Sequence, residues 1–256
     1  MDRFSQIIAE GRLQPASHTK VVLAIMDNAF FLLAHLDPLA ILRGTKPPPT
    51  RTAIMKAALN VASIDADTKQ VIRDALAILP PIVRALRVLP EPTAATLRQV
   101  FGAIDQQQTI PQLLAVLSEW LSDARVGGVG GLDVGIRTAI QIVEDGRASI
   151  YESNHPLVEI LARVPGGVVP EGVQPMGGVA NADVKGAIAG AVAGCVASSA
   201  GCPGGAGIGA VGGALIGSST EIAGNLFDGL FGDDGPSVPE GDLGDYPVTD
   251  DDDGPA

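Results

Sequence analysis

The fold is decided by one stretch of sequence, residues 185–217, which reads KGAIAGAVAGCVASSAGCPGGAGIGAVGGALIG. No charged residue lies between Lys185 and Glu221, and glycines recur at every fourth position in two registers. Residues four apart lie on one face of a helix, so each register predicts a helix with a groove free of side chains. The first register is Gly186, Gly190 and Gly194, and the second is Gly205, Gly209, Gly213 and Gly217.

The segment Cys202-Pro203-Gly204 lies between the two registers. Proline interrupts a helix and glycine permits the positive φ of a tight reversal, so this segment predicts the turn of a helical hairpin. The hairpin is expected from about Asp183 to Phe227, with arms of roughly 16 and 20 residues.

Seven glycines inside helices carry a large conformational cost in water, because each costs about 0.5 to 1 kcal/mol relative to alanine. In a bilayer the backbone has no water to bond to, and close packing of small faces favours the same glycines. The pattern therefore favours a membrane-active or membrane-anchoring hairpin. A zipper inside a soluble fold and a flexible Gly/Ala stretch are the alternatives.

The stretches from Val184 to Gly194 and from Gly205 to Gly213 resemble the Gly/Ala-zipper cores of unmodified class II bacteriocins and related glycine-zipper toxins. Met176-Gly177-Gly178 is similar to the double-glycine leader site of such peptides. The resemblance covers about residues 176–227 and implies possible processing at Gly177 and Gly178, followed by self-association in a membrane.

The cysteines are Cys195 and Cys202, both inside the glycine-rich segment. If the chain folds back between them they could form a disulfide in an oxidising compartment, while two buried free thiols are the simpler interpretation. Two thiols with no nearby histidine do not make a zinc site, so no metal is predicted.

The first part of the chain predicts an α-helical domain over residues 1–164, because leucine, isoleucine, valine and alanine dominate and aromatic residues make up only 4%. Helices are expected over 19–43, 50–63, 65–86, 93–104, 109–123, 132–143 and 156–163, with Pro80-Pro81 stopping or kinking the third. No useful strand alternation is present, so the fold class is all-α.

Two further segments complete the predicted organisation. Residues 165–182 are rich in Gly, Pro and Val and predict a linker before the hairpin at 183–231. Residues 232–256 carry many Asp and Glu and no Lys or Arg, which predicts a disordered acidic tail. The N-terminus lacks an apolar run, so a Sec-type signal peptide is not expected, and export would use another route.

Charge and motifs exclude several classes of function. Residues 1–125 hold 13 Lys and Arg against 11 Asp and Glu, whereas residues 126–256 hold 4 against 18. No basic cluster exists to bind nucleic acid. The Gly207 to Gly212 match to a dinucleotide fingerprint lacks the required strand, and the glycines from Gly127 to Gly131 predict a hinge.

His18, His35 and His155 show neither metal spacing nor a placed nucleophile, so no enzyme activity and no cofactor are predicted. Two functions remain open. The first is a membrane-active or membrane-associating protein, which the resemblance implies is bacteriocin-like or toxin-like, and whose partners are lipid and further copies of itself. The second is a structural protein that uses the hairpin as a soluble oligomerisation module.

Overall fold

A computed structural model describes residues 3–36, 51–153, 177–198 and 201–231, and all regular structure in these ranges is helical. The predicted all-α class is therefore confirmed. The predicted helix at 156–163, most of the predicted linker and the acidic tail at 232–256 lie outside the described residues.

The helices, in chain order, are α1 (Arg3–Glu10), α2 (Pro15–Asp27), α3 (Ala29–Leu36), α4 (Arg51–Asn60), α5 (Ala66–Arg87), α6 (Glu91–Asp105), α7 (Ile110–Leu121), the short α8 (Ala124–Gly127), α9 (Leu132–Gly146), a π-helical turn (Arg147–Tyr151), α10 (Gly177–Ala197) and α11 (Cys202–Phe231).

Helix starts follow the capping residues in the sequence. The backbone N–H of Thr68 donates to the Asp65 carboxylate at 2.9 Å, which caps α5 and lowers the pKa of Asp65 to about 2. Thr109 caps α7, where Pro111 occupies the first turn. These local signals explain why α5 and α7 begin close to their predicted positions.

Pro80 and Pro81 neither stop α5 nor divide it, since the helix runs through both to Arg87. Of the two predicted outcomes, a stop and a kink, the stop does not occur. Ile78, Leu79, Ile82 and Val83 on either side of the prolines are buried. Packing of this apolar face offsets the backbone hydrogen bonds that the two prolines remove.

The predicted helix over 19–43 is two helices in the described range. α2 ends at Asp27 and α3 begins at Ala29, with Asn28 between them. The Asn28 side-chain amide donates to the Ala24 carbonyl oxygen at 2.8 Å, and its Oδ1 accepts from Ser63 Oγ. Asn28 thus ends α2 and ties the break to the loop after α4.

The hairpin, α10 with α11, forms the centre of the molecule. Its arms pack on each other and are enclosed by elements that we call the sheath, namely α1, α2, α4, α5, α6, α7, α9 and the π-helical turn. Buried residues from the sheath and the hairpin belong to one hydrophobic core. The predicted division into a domain at 1–164 and a hairpin at 183–231 therefore does not match the packing.

Both arms are longer than predicted. α10 begins at Gly177, so residues 177–182, assigned to the linker from their composition, are helical. Val179 and Ala180 in this turn are fully buried. The turn also lies earlier than predicted: Gly201 has φ +98°, whereas Cys202-Pro203-Gly204 forms the first turn of α11. Proline is favourable in that position because its missing N–H would have no helical partner.

Candidate functional site

The two glycine registers face each other inside the hairpin. A Cβ placed on Gly186 would overlap the carbonyl oxygen of Gly213, and the same holds for Gly190 with Gly209 and for Gly194 with Gly205. A Cβ on Gly217 would overlap the Ala182 carbonyl oxygen. The atoms in contact belong to the backbone, so the helix axes approach closely and the groove predicted on each arm is filled by the other arm.

The sheath also approaches the hairpin closely at small residues. A Cβ on Gly135 of α9 would lie 2.8 Å from Ala191 Cβ, and one on Gly131 would lie 2.7 Å from the Ala191 carbonyl oxygen. Gly131 has φ +83° and precedes α9 as its N-cap. The glycine cluster predicted as a hinge thus places α9 directly against α10.

Burial of the hairpin is nearly complete along its middle. Every residue from Gly186 to Gly194 is buried, and so is every residue from Ile208 to Ile216. A helix that is apolar and buried on all sides is normally found in a large core or in a membrane. Here the surrounding layer is the protein's own sheath.

One helix in the described ranges is long and apolar enough to cross a membrane, over residues 178–197, with a mean hydropathy of 1.2 in its most apolar window. Inside the folded protein 72% of that window is buried. The buried core helix of a soluble protein meets the same criteria, so length and hydropathy alone do not assign a membrane.

A disulfide joins Cys195 and Cys202 across the hairpin turn. The sequence analysis allowed both a disulfide and two free thiols and favoured the free thiols. That preference was wrong, because both cysteines are in the disulfide. The turn is exposed: Val196 is 57% accessible, and Gly201 and Pro203 are also exposed. The hairpin tip is therefore an uncharged, covalently closed surface, while residues 186–194 and 208–216 in the middle of the hairpin are buried.

Four buried polar side chains meet near the open end of the hairpin, and we call them the polar cluster: His18 of α2, Tyr151 of the π-helical turn, Asp183 of α10 and Ser218 of α11. Tyr151 Oη donates to Asp183 Oδ2 at 2.6 Å, and Ser218 Oγ donates to Asp183 Oδ1. His18 Nε2 lies 2.9 Å from Ser218 Oγ and 3.4 Å from Asp183 Oδ1. The cluster links both arms of the hairpin to two elements of the sheath.

The hydrogen-bond pattern assigns the histidine tautomer. The Ser218 hydroxyl has two acceptors, Asp183 Oδ1 and the Ala214 carbonyl oxygen at 3.2 Å. Because its single proton goes to one of these two, His18 Nε2 donates to the Ser218 oxygen. Among the described residues, His18 Nδ1 is buried without a hydrogen-bond partner. An unsatisfied buried polar atom costs roughly 1 to 3 kcal/mol, so the cluster is held in place by the surrounding packing.

The polar cluster has the residue types of a serine hydrolase triad but not the geometry. In a triad the serine and the carboxylate bind opposite nitrogens of the imidazole, whereas here both contact Nε2. His18, Asp183 and Ser218 are also fully buried. This arrangement positions helices and offers no substrate access to Ser218.

Tyr151 gives the cluster a measurable pH dependence. Burial, together with the charge of Asp183, raises the pKa of the Tyr151 phenol well above its usual value. A raised folded-state pKa contributes stability that is present below pH 10 and is lost as pH rises further. We therefore expect Tyr151→Phe to be less stable than the wild type at pH 7, with a gap that narrows above about pH 10.

Urea unfolding of both proteins between pH 7 and pH 11 measures this gap. Other groups titrate in the alkaline range, but they do so in both proteins. The difference in free energy of unfolding between the wild type and Tyr151→Phe therefore reports the titration of Tyr151. A gap that stays constant over the whole range would contradict the assignment of Tyr151 to a buried hydrogen bond with a carboxylate.

Polar contacts outside the cluster also tie the hairpin to the sheath. Lys185 Nζ lies 2.6 Å from Asp105 Oδ1 of α6, at a partly exposed position. The Asn181 side chain donates to the Gln107 carbonyl oxygen at 3.4 Å. Exposed ion pairs contribute little, so the buried cluster is the stronger connection.

Gly177 and Gly178, the predicted processing residues, lie in the first turn of α10. A Cβ on Gly178 would lie 2.7 Å from Glu221 Oε1. A helical turn beside another helix is a poor protease substrate, because a protease must first unfold its substrate locally.

Within the described residues, no group of three or more His, Cys, Asp and Glu side chains could hold a metal ion.

Comparisons with protein-family models, with curated proteins and with solved structures found no match to this chain.

Proposed function

We propose that this is a non-enzymatic, membrane-associating protein that stores a glycine-zipper hairpin inside a helical sheath and inserts it into a bilayer when the sheath opens. The observation that carries the proposal is the arrangement of the hairpin. Its arms are held together by their own backbone contacts and by a disulfide, and the sheath covers what would otherwise be an exposed apolar surface.

The hairpin is suited to leave the sheath as one unit. Its helices satisfy their own backbone hydrogen bonds, as a bilayer requires, and the glycine contacts between the arms do not involve the sheath. Between Lys185 and Glu221 the uncharged arms are residues 186–197 of α10 and residues 202–220 of α11. At 1.5 Å per residue they are about 18 Å and about 28 Å long, so the hairpin can enter a hydrocarbon core of roughly 30 Å, and α11 nearly spans it.

Charge supports entry of the hairpin tip first. The charged side chains Asp183, Lys185 and Glu221 lie at the open end, and none lies between Lys185 and Glu221. Moving a charged residue to the bilayer centre is costly, so the open end is expected to stay at the surface. The exposed tip at Val196 and Pro203 would meet the lipid first.

The disulfide supports a site of action outside the reducing cytosol, since such bonds persist in oxidising compartments. Cleavage after Gly178 is not needed for this mechanism, because the proposed trigger is opening of the sheath. From the bacteriocin-like or toxin-like role, the proposal therefore keeps membrane permeabilisation and does not require processing.

Oligomerisation through the glycine faces has less support as a function. The faces that would join two chains are occupied within one hairpin. Further copies of the chain could associate through other surfaces after insertion, when the outer faces of α10 and α11 are no longer covered by the sheath.

Vesicle flotation and dye leakage with the full chain test the proposal, over urea concentrations below global unfolding. Zwitterionic vesicles are the appropriate target, because the chain carries a net charge of −12 and anionic lipid would repel it. We expect little binding without urea, and flotation with leakage once the sheath loosens. Absence of flotation at every urea concentration would contradict the proposal and leave a soluble helical bundle.

A further inference from the structure

We infer that the polar cluster of His18, Tyr151, Asp183 and Ser218 is a latch that keeps the hairpin in the sheath and sets how readily it is released. This inference rests on the proposed membrane insertion and adds its regulation.

Two members of the cluster belong to the hairpin and two to the sheath, so the cluster is divided when the hairpin leaves. Asp183 and Ser218 belong to the hairpin and bond to each other across its arms. His18 and Tyr151 belong to the sheath and bond to this pair from two separate elements. Release of the hairpin breaks the bonds between the halves, whereas the Asp183–Ser218 bond can persist inside the hairpin.

The remaining sheath–hairpin interface is largely aliphatic, with contacts such as Ile78 against Gly212. Aliphatic contacts depend weakly on orientation, and lipid tails replace them without loss. A buried hydrogen bond to a carboxylate is directional and is not replaced by lipid. The cluster therefore opposes insertion more specifically than the apolar contacts do.

The location of the latch fits this role. Asp183 precedes the uncharged stretch of the hairpin, and its two sheath partners come from α2 and from the turn after α9, at opposite ends of the first 151 residues. Both sheath segments must hold their positions for the cluster to form. Opening of either segment breaks at least one bond to the hairpin.

The test uses Tyr151→Phe in the full chain, because this substitution removes one hydroxyl and keeps the ring. The matched control is Asp65→Ala, which removes the α5 cap without touching the hairpin. Each variant is measured at the urea concentration that brings its free energy of unfolding to the same value. Hydrogen exchange of α10 and α11 and leakage from zwitterionic vesicles are the two measurements.

We expect Tyr151→Phe to raise the exchange rate in the hairpin and the leakage rate by about tenfold over the matched control, since a hydrogen bond to a charged group is worth at least that factor. Ser218→Ala should act in the same direction and serves as the second variant if Tyr151→Phe does not fold. Equal rates of hydrogen exchange and of leakage in Tyr151→Phe and Asp65→Ala would overturn the proposal that the cluster is a latch.

The two measurements separate the latch from the proposed function. Faster hairpin exchange without leakage or flotation in any variant, including urea-loosened wild type, would overturn the membrane function. In that case the cluster would be only a stabilising contact of a soluble bundle, and the latch would be overturned with it. Leakage of the wild type in urea, with no excess for Tyr151→Phe, would overturn the latch alone.

Discussion

Gly190→Ala is expected to destabilise the protein by about 3 kcal/mol, although it adds one methyl group and raises helix propensity. The added Cβ would overlap the Gly209 carbonyl oxygen and lie 3.2 Å from Gly213 Cα. Both are backbone atoms, so no rotamer change relieves the overlap and the arms must separate. Separation of the central helix pair disturbs the core on both sides of it.

Gly207→Ala is the matched control for this prediction. Gly207 lies on the same hairpin, and a Cβ there would meet nothing within 4 Å. The substitution should stabilise the protein by about 0.5 to 1 kcal/mol, which is the ordinary gain from replacing a glycine inside a helix. Chemical unfolding of both variants gives the comparison. Equal stabilities would show that the arms are not in backbone contact.

A disulfide between the sheath and the hairpin is expected to abolish the proposed membrane activity without disrupting the fold. Ile78 Cγ1 of α5 lies 3.2 Å from the position of a Cβ on Gly212 of α11. The Cβ of Ile78 is one bond further away, roughly at the 3.5 to 4.5 Å separation that a disulfide requires. The double variant Ile78→Cys with Gly212→Cys therefore suits a bond that fixes α11 to α5.

The native disulfide should not exchange with the added one. Gly212 is ten residues beyond Cys202 on the same helix, which places them about 15 Å apart at 1.5 Å per residue. That distance is beyond the roughly 7 Å limit between bridged Cα atoms. Two variants that cannot form the new bond serve as controls. Ile78→Cys controls for the loss of the isoleucine side chain. Ile78→Ala with Gly212→Cys controls for the new side chain in the helix, because Gly212→Cys alone would bring its Cβ to 2.5 Å from Ile78 Cδ1.

Much of the secondary structure was predictable, because the signals are local. Thr109 with Pro111 marks the start of α7, and Asp65 marks the start of α5. The two arms of the hairpin were predicted from the glycine spacing, and the reversal between them from the Pro and Gly that separate the two registers. Its ends were not, because Gly177 to Ala182 and Cys202 to Gly204 have loop-like compositions and are helical through tertiary contacts and a favourable first-turn proline.

The relation between the hairpin and the remaining helices was not predictable from patterns. Glycine faces can pack within one chain or between chains, and spacing does not distinguish the two. The polar cluster was missed because its members are up to 200 residues apart in sequence. One signal was available: Asp183 is an acidic residue beside a long uncharged helix, and a buried charge requires partners.

The central claim is that the hairpin leaves the sheath to enter the bilayer, and the most direct measurement is dye leakage by Ile78→Cys with Gly212→Cys, oxidised and then reduced. Wild type with and without reductant controls for the native disulfide. We predict no leakage from the oxidised protein in sub-denaturing urea, and after reduction leakage at the rate of the control variants that cannot form the new bond. Equal leakage from the oxidised and reduced forms would contradict the account, because the hairpin would then act without leaving α5.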